Sequence, residues 1–399
     1  MTNRWINALE KRQLSIKEAS LWRSRKELTS PQQPSINIEG LDSSLVNFSS
    51  NDYLGLASSL ELSSLACREV QQWGVGSGAS HLVCGHQTPH HELELSLAKF
   101  VGAERAVLFS TGYMANIAVA SALTTKRDLI LQDKLNHASL IDGARLSEAQ
   151  FKRYAHGNIE HAQMLLEDTE YENALLMTDG VFSMDGNVAP LDKLKHLADK
   201  KDALLFVDDA HGLACLGSSG KGVLELFGMT PTDNVLLMGT LGKAVGSFGA
   251  FVAGDEVFIE HLIQSARSYI YTTALPPAVA GTSSAAIEYI VQNGTVLRQS
   301  LQANINQFKQ GIEKIGLELM PSNSAIQPLV LGDEQRALDF SQQLQERGFL
   351  VGAIRPPTVP KGSARLRFTF SATHSQADIE RLLLAIDDVS AEQGVKNGY

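Results

Sequence analysis

The chain has 399 residues, 44% hydrophobic and 20% charged, which is ordinary for a soluble globular enzyme and too long for one simple core. Its 34 basic and 44 acidic residues give a net charge of −10, which argues against nucleic acid as the main partner, since phosphate binding needs a basic surface. Cys67, Cys84 and Cys215 show no C-x-x-C spacing and fit a reduced, cytoplasmic protein better than a disulfide framework.

The opening "MTNRWINALEKRQ" lacks the apolar core and small-residue cleavage site of a signal peptide. No window approaches the eighteen or so apolar residues of a membrane span. Residues 1–45 read as a mixed N-terminal segment. In it "WINALEKRQLSIKEASLWRSRKEL" has helical composition with a basic end at Arg23, Arg25 and Lys26, and "TSPQQPS" breaks the helix.

Residues 46–285 read as a large domain. The runs "RAVLFS", "DLILQD", "NALLMTD", "ALLFVDD", "NVLLMGT" and "GAFVAG" are predicted strands with helical segments between them. Continuous apolar strands alternating with helices predict a mainly parallel sheet covered on both faces. Ligands in such sheets bind past the carboxyl ends of the strands. A long helix is predicted from near Ala278. Residues 286–399 read as a smaller α/β domain with strands in "AIQPLVLG", "FLVGAIRPP" and "ARLRFTFSAT". The last helix is expected to start at a capping box of Thr373 and Gln376, with an apolar stripe at Ile379, Leu382, Leu383 and Ile386.

The stretch "VLLMGTLGKAVGSFGAF", Val235–Phe251, carries a single charge, Lys243. A lone ammonium in an apolar, glycine-rich setting is costly to desolvate, so a working role is expected. The strand "ALLFVDDAHG" ends in Asp208, Asp209 and His211; by itself this is also the composition of a strand-end turn with a helix cap. Asp208 and Lys243 lie about one strand–helix–strand unit apart. Pyridoxal phosphate needs such a lysine for its Schiff base and such an acid for its pyridinium nitrogen. "LFSTGYMANIAVA" runs from a strand into a helix starting at Tyr113 or Met114, where free N–H groups suit a phosphate. His137 of "LNHASLIDG" either stacks on a planar ring or caps the next helix.

The ordered set "SSNDYLGL", "GVGSGASHLVCGH", "FSTGYMAN", "LNHASLIDG", "TDGVFSMDG", "VDDAHG", "TLGKAVGSFGAF", "YIYTTALPP" and "IRPPTVPKGSARLRFT" resembles the α-oxoamine synthases over residues 1 to 390. These are fold-type-I pyridoxal-phosphate transferases that join an amino acid to an acyl thioester with loss of carbon dioxide. The resemblance implies an α/β fold with a seven-stranded, mainly parallel sheet and a smaller C-terminal domain. It makes Lys243 the Schiff-base lysine and general base, and Asp208 the partner of the ring nitrogen. His211 would bond the ring's phenolic oxygen, and His137 would stack on the ring. Gly112, Tyr113 and Thr240 would hold the phosphate, Ser183 would touch the cofactor, and Thr272 and Thr273 would reach the phosphate of a homodimer partner. Asn51, Arg355 and Thr358 would line the substrate site, with Arg355 on the amino acid's carboxylate. Arg23 or Arg25 resembles the arginine near the acyl tail, Arg23 being preferred. No metal is expected.

Within the family, "GSGAS" and "IRPPTVP" most resemble the branch that condenses L-alanine with a pimeloyl thioester to give 8-amino-7-oxononanoate in biotin biosynthesis. The donor is carried on coenzyme A or on acyl carrier protein. Arg23, Arg25, Lys26, Arg355 and Lys361 offer a basic rim for the acidic carrier. Two positions depart from the family pattern: Asp179 stands where glutamate is usual, and His81 where arginine is common, a position that reads as structural. The rivals are a relative using glycine or serine, an aminotransferase of the same fold, and a pyridoxal-phosphate-binding regulator. The last usually carries a helix-turn-helix extension, for which this acidic chain shows no segment.

Overall fold

The computed structural model describes residues 3–18 and 21–395. Its centre is a seven-stranded sheet. The strands are β1 (Arg105–Phe109), β2 (Leu129–Asp133), β3 (Gln150–Tyr154), β4 (Ala174–Asp179), β5 (Leu204–Asp208), β6 (Val235–Thr240) and β7 (Ala250–Gly254). Their spatial order is β1-β7-β6-β5-β4-β2-β3. Only β7 runs antiparallel to its neighbours β1 and β6; the other pairs are parallel.

The expected apolar runs form β1, β2, β4, β5, β6 and β7, because both faces of these strands are covered. Alternate residues along a strand go to opposite faces. Leu129 and Leu131 of β2 therefore join the core on one face, with Leu205 and Val207 of β5. Ile130 and Phe206 join the core on the other. The sequence reading did not single out β3. Its segment "QFKRY" lies at the sheet edge, pairs only with β2 and buries only Tyr154. An edge strand can carry charge where its faces stay open; β1, at the opposite edge, is apolar because Ala106–Phe109 are buried.

The helix Pro277–Ile315 is 39 residues long and ends at Gly316, whose φ of 83° is the left-handed conformation that closes a helix. It packs on helices Leu60–Trp73 and Thr88–Val101 and also on the last helix, Gln376–Glu392. It therefore runs through the expected division at residues 285 and 286 and joins both parts. The C-terminal sheet is antiparallel, with β10 (Ala364–Thr369) between β8 (Ile326–Gly332) and β9 (Gly352–Ile354). Phe308 of the long helix packs on Phe368 and Phe370 from the end of β10.

The N-terminal helix covers Arg4–Glu18 and buries no residue. It is shorter than expected. Residues 21–27 are irregular, and Ala19 and Ser20 of the expected helix lie outside the described residues, as do 1, 2 and 396–399. Further on, Leu45–Asn47 pairs in parallel with Phe349–Leu350, which ties the N-terminal segment to the C-terminal part. Among the described residues no helix is long and apolar enough to cross a membrane.

The last helix starts two residues later than the expected cap. Ser375 Oγ accepts from Asp378 N at 3.1 Å, and Asp378 Oδ2 accepts from Ser375 N at 3.2 Å. Thr373 is not the cap, because its hydroxyl is engaged with Ser371 Oγ at 3.0 Å. Ile379, Leu382 and Ile386 are buried as the stripe predicts. Replacing Ser375 by alanine is expected to cost about 1 kcal/mol of unfolding free energy, read as a lower denaturation midpoint at unchanged slope.

Candidate active site

The carboxyl ends of the parallel strands meet at one cavity. Asp179 is the last residue of β4 and Asp208 the last of β5, and the two are register partners. Thr240 ends β6, with Lys243 three residues on. After β1 the chain turns into helix Gly112–Leu123, capped by Thr111, whose hydroxyl accepts from Met114 N at 3.2 Å. A side chain at position 112 would place its Cβ 3.1 Å from Met238 Cε, so glycine lets this helix N-terminus approach β6 closely. Gly112, Tyr113, His137 and Ser183 line the cavity with Asp208, His211, Thr240 and Lys243.

The hydrogen bonds fix the acid. Asp208 Oδ2 accepts from Asn116 Nδ2 at 2.7 Å, and Oδ1 from Ala210 N at 3.0 Å. Asn116 Nδ2 also reaches Ser139 Oγ at 2.7 Å. Asp179 accepts from His137 N at 3.1 Å. Burial, and then the Asp208 carboxylate beside it, push the Asp179 carboxyl well above its ordinary range. His137 caps helix Ala138–Leu146, with Nδ1 accepting from Ser139 N at 3.3 Å. It thus serves as a cap and lines the cavity at once.

Lys243 Nζ lies 2.8 Å from His211 Nε2. Burial pulls its pKa down to about 8, against the opposing pull of Asp208. Burial, and then Lys243, hold His211 well below the ordinary imidazole range, so the ring is neutral. Its Nδ1 lies 2.6 Å from the Tyr53 hydroxyl. Tyr53 Oη in turn donates to Asn51 Oδ1 at 3.0 Å.

Asn51 Oδ1 also accepts from Arg367 Nη2 at 3.2 Å, and Arg367 Nε donates to the Ser183 carbonyl at 2.6 Å. The Arg367 charge also depresses the pKa of both Lys243 and His211. Arg367, on β10, is therefore the guanidinium beside the lysine. Arg355 and Thr358 line a second cavity, together with Arg23, Trp22 and Lys26. Thr272 and Thr273 line neither; they follow helix Arg267–Ile270, in a segment held by Ala274 N on the Ala79 carbonyl at 3.0 Å. His81 is buried away from the cavity and stacks on Tyr269 at 4.8 Å.

Tyr53, Asn116, Ser139 and Arg367 were not singled out from sequence. All four stand inside the quoted segments, but nothing in their spacing separates them from structural neighbours. The donor set fits pyridoxal phosphate. A lysine amine, a doubly hydrogen-bonded carboxylate and a close-packed helix N-terminus converge there, and the buried Asn116 Oδ1 has no partner of its own.

The family of aminotransferases of classes I and II matches residues 43–386. The 8-amino-7-oxononanoate synthase of Hydrogenovibrio crunogenus is 52% identical over 386 residues, covering 96% of this chain and 95% of its own. That of Saccharophagus degradans is 50% identical over 384 residues, covering 96% of each. The chain belongs to the 8-amino-7-oxononanoate synthase family. Its fold is similar to that of a serine palmitoyltransferase from S. paucimobilis with a bound pyridoxal phosphate–myriocin adduct. The TM-score there is 0.90 at 28% identity, over 97% of this chain and 98% of that one. An 8-amino-7-oxononanoate synthase from Francisella tularensis matches with a TM-score of 0.76 at 32% identity, over 88% of this chain and 99% of its own. The chain is a pyridoxal-phosphate-dependent acyltransferase of the biotin pathway, with the fold-type-I architecture expected from its motifs.

The lowered lysine pKa has a sign that stability measurements read. Lys243 titrates near 8 in the folded chain and near its ordinary 10.5 when unfolded. Between these values the unfolded chain holds a proton that the native chain has released. The contribution of Lys243 to stability therefore rises with pH across that window and is a penalty below it. Cofactor-free Lys243→Met is expected to be more stable than wild type at pH 7. The gap should close as pH rises from 8 to 10.5 in denaturant melts.

Proposed function

We propose that this enzyme condenses L-alanine with a pimeloyl thioester, releasing carbon dioxide and free thiol, and that Lys243, Asp208, His211, His137 and Arg367 carry the reaction. The observation that carries this reading is the convergence of a depressed lysine and a fixed carboxylate on one cavity, with the Arg367 guanidinium, held by Asn51 and the Ser183 carbonyl, near enough to depress the lysine further. When bound, pyridoxal phosphate supplies an electron sink for the pair left at the amino acid's Cα, first as its proton leaves and later as carbon dioxide leaves.

Lys243 Nζ is the base that takes the Cα proton. Burial keeps its proton affinity low enough for it to act near neutral pH. Neutral His211, anchored by Tyr53, holds the lysine amine in place between transfers. Asp208, locked by Asn116 and Ala210 N, holds the proton on the ring nitrogen. The phosphate is assigned to Gly112, Tyr113 and Thr240, and the Ser183 loop is a further cofactor contact. His137 Nδ1 is engaged by Ser139, which leaves Nε2–H as the donor to the thioester oxygen as charge builds there. Asp179 accepts from the backbone N–H of His137 and so fixes the chain from which that imidazole, held by Ser139, projects.

Arg367 is assigned to the substrate carboxylate, in place of Arg355. It lies beside Asn51, and a guanidinium makes a planar two-point contact that sets the Cα–H direction. Arg23, Arg355 and Thr358, grouped around the second cavity, are assigned to the acyl donor. Their charge, with Lys26, suits either coenzyme A or an acidic acyl carrier protein. Thr272 and Thr273 lie outside the Lys243 cavity, beside the exposed Tyr271. A homodimer in which they complete the partner's phosphate site accounts for their position. The three unpaired thiols fit a cytoplasmic enzyme.

A second reading rests on the close structural likeness to serine palmitoyltransferase, and would use serine or glycine with another acyl group. Thiol release by the cofactor-loaded enzyme decides between them, measured for alanine, glycine and serine against pimeloyl-, acetyl- and succinyl-CoA. Release is expected with alanine and pimeloyl-CoA alone; release with serine or glycine and another acyl group would overturn the substrate assignment. Lys243→Ala is expected to abolish turnover with an unchanged circular dichroism spectrum. Arg367→Ala should raise the KM for alanine at least about tenfold, as expected when a charge-assisted contact is lost, whereas Arg355→Ala should raise the KM for the acyl donor. The reverse pattern would restore Arg355 to the amino acid.

A further inference from the structure

Outside the active site, the stretch "HLVCGHQTPHHELE" concentrates imidazoles in a way the reaction does not use. His91 and Glu94 stand three residues apart on helix Thr88–Val101, a spacing that places them on one face. His86 follows the turn His81–Gly85 and comes back over that face. One ligand atom from each of His86, His91 and Glu94 lies within 4.8 Å of the others. His86 Nε2 and Glu94 Oε2 are 3.9 Å apart.

Two of these groups are already held from behind. Glu94 Oε1 accepts from Leu108 N at 3.1 Å, which aims the carboxylate and leaves Oε2 available. His86 Nδ1 lies 2.9 Å from His81 Nδ1, and His81 is buried against Tyr269. With the shared proton on His86, its Nε2 lone pair faces the Glu94 oxygen, an arrangement completed by a cation. A metal-binding histidine is usually fixed in this way, by a bond from its other ring nitrogen. His90, the remaining imidazole of the cluster, is engaged on both sides. It accepts from Gln87 N at 3.0 Å and bonds the Leu275 carbonyl at 2.7 Å through Nε2.

We propose that His86, His91 and Glu94 form a divalent transition-metal site of the zinc class. Two imidazole nitrogens and one carboxylate oxygen match zinc's preference for borderline donors, and leave a fourth position for water. The site would fasten the turn at His81–Gly85 to helix Thr88–Val101. That turn borders Ala79, whose carbonyl holds Ala274. The site is therefore structural, and none of its three ligands lines the Lys243 cavity.

The test uses the cofactor-loaded full-length enzyme, dialysed against chelator. Calorimetric titration with Zn2+ is expected to give one site per chain in the micromolar range or tighter. Substitution by Co2+ should give the visible absorption of a four-coordinate ion. His91→Gln alters an exposed residue and should weaken Zn2+ at least about tenfold, the scale of losing a ligand-shell contact, with circular dichroism and the cofactor spectrum unchanged. His86→Gln should do the same. No Zn2+ binding by the wild type at micromolar concentration would overturn the site, as would equal binding by wild type and both variants.

Discussion

Everything at the active site depends on placing carboxylates and a lysine together at the ends of buried strands. Asp179 and Asp208 are register neighbours on β4 and β5, so two acidic groups lie side by side in a region of reduced dielectric. Burial, and then the neighbouring Asp208 carboxylate, raise the proton affinity of Asp179. The structure meets this with directed donors. His137 N serves Asp179, and Asn116 with Ala210 N serves Asp208. Lys243 and Arg367 supply the positive charge from the opposite side. The outcome is a carboxylate held for the cofactor and a lysine that releases its proton readily.

The sheet alone does not complete that arrangement. Arg367 comes from β10 of the C-terminal part and reaches the Ser183 carbonyl across the junction. Two residues earlier on the same strand, Arg365 forms a buried ion pair with Asp185 of the same loop. Removing one partner of such a pair would strand a buried charge. The two arginines therefore fasten the Ser183 loop at two points. The long helix Pro277–Ile315 and the Phe308, Phe368 and Phe370 cluster hold β10 at the required height. The substrate side of the site is thus a product of how the two parts are joined.

The two cavities divide the labour in the proposed reaction. The one around Lys243 is lined by strand ends, where backbone groups and short polar side chains hold a rigid cofactor. The other is lined by the N-terminal segment, Arg355 and Thr358, a more open setting suited to a long flexible donor. Asp209 shows the structural counterpart of Asp208. It is fully buried, accepts from Val223 N at 2.7 Å, and is closely approached by Gly222, whose φ is 97° and which any larger residue would force into Asp209. Of two adjacent aspartates, one shapes the turn and the other faces the cavity.

The sequence by itself determined the apolar strands and the strand-to-helix turn after β1, whose helix begins one residue before the expected Tyr113, and it marked Lys243 and Asp208 at or just past strand ends. These follow from local rules: apolar runs covered on both faces, polar residues at strand ends, and a charge that its neighbours do not satisfy; the parts expected of His137 and His211 came from the family resemblance. Tertiary structure decided the rest. Edge strand β3 is polar because only Tyr154 of it is buried, whereas β1 at the other edge is buried over Ala106–Phe109. The last helix begins at Ser375 because the hydroxyl of Thr373 is engaged by Ser371. Arg367, and not Arg355, faces the lysine because the C-terminal sheet sets the direction of each arginine. The links from Tyr53 to His211, 158 residues apart, and from Asn51 to Arg367, 316 residues apart, arise only when the chain is folded. No spacing in a linear sequence encodes such contacts.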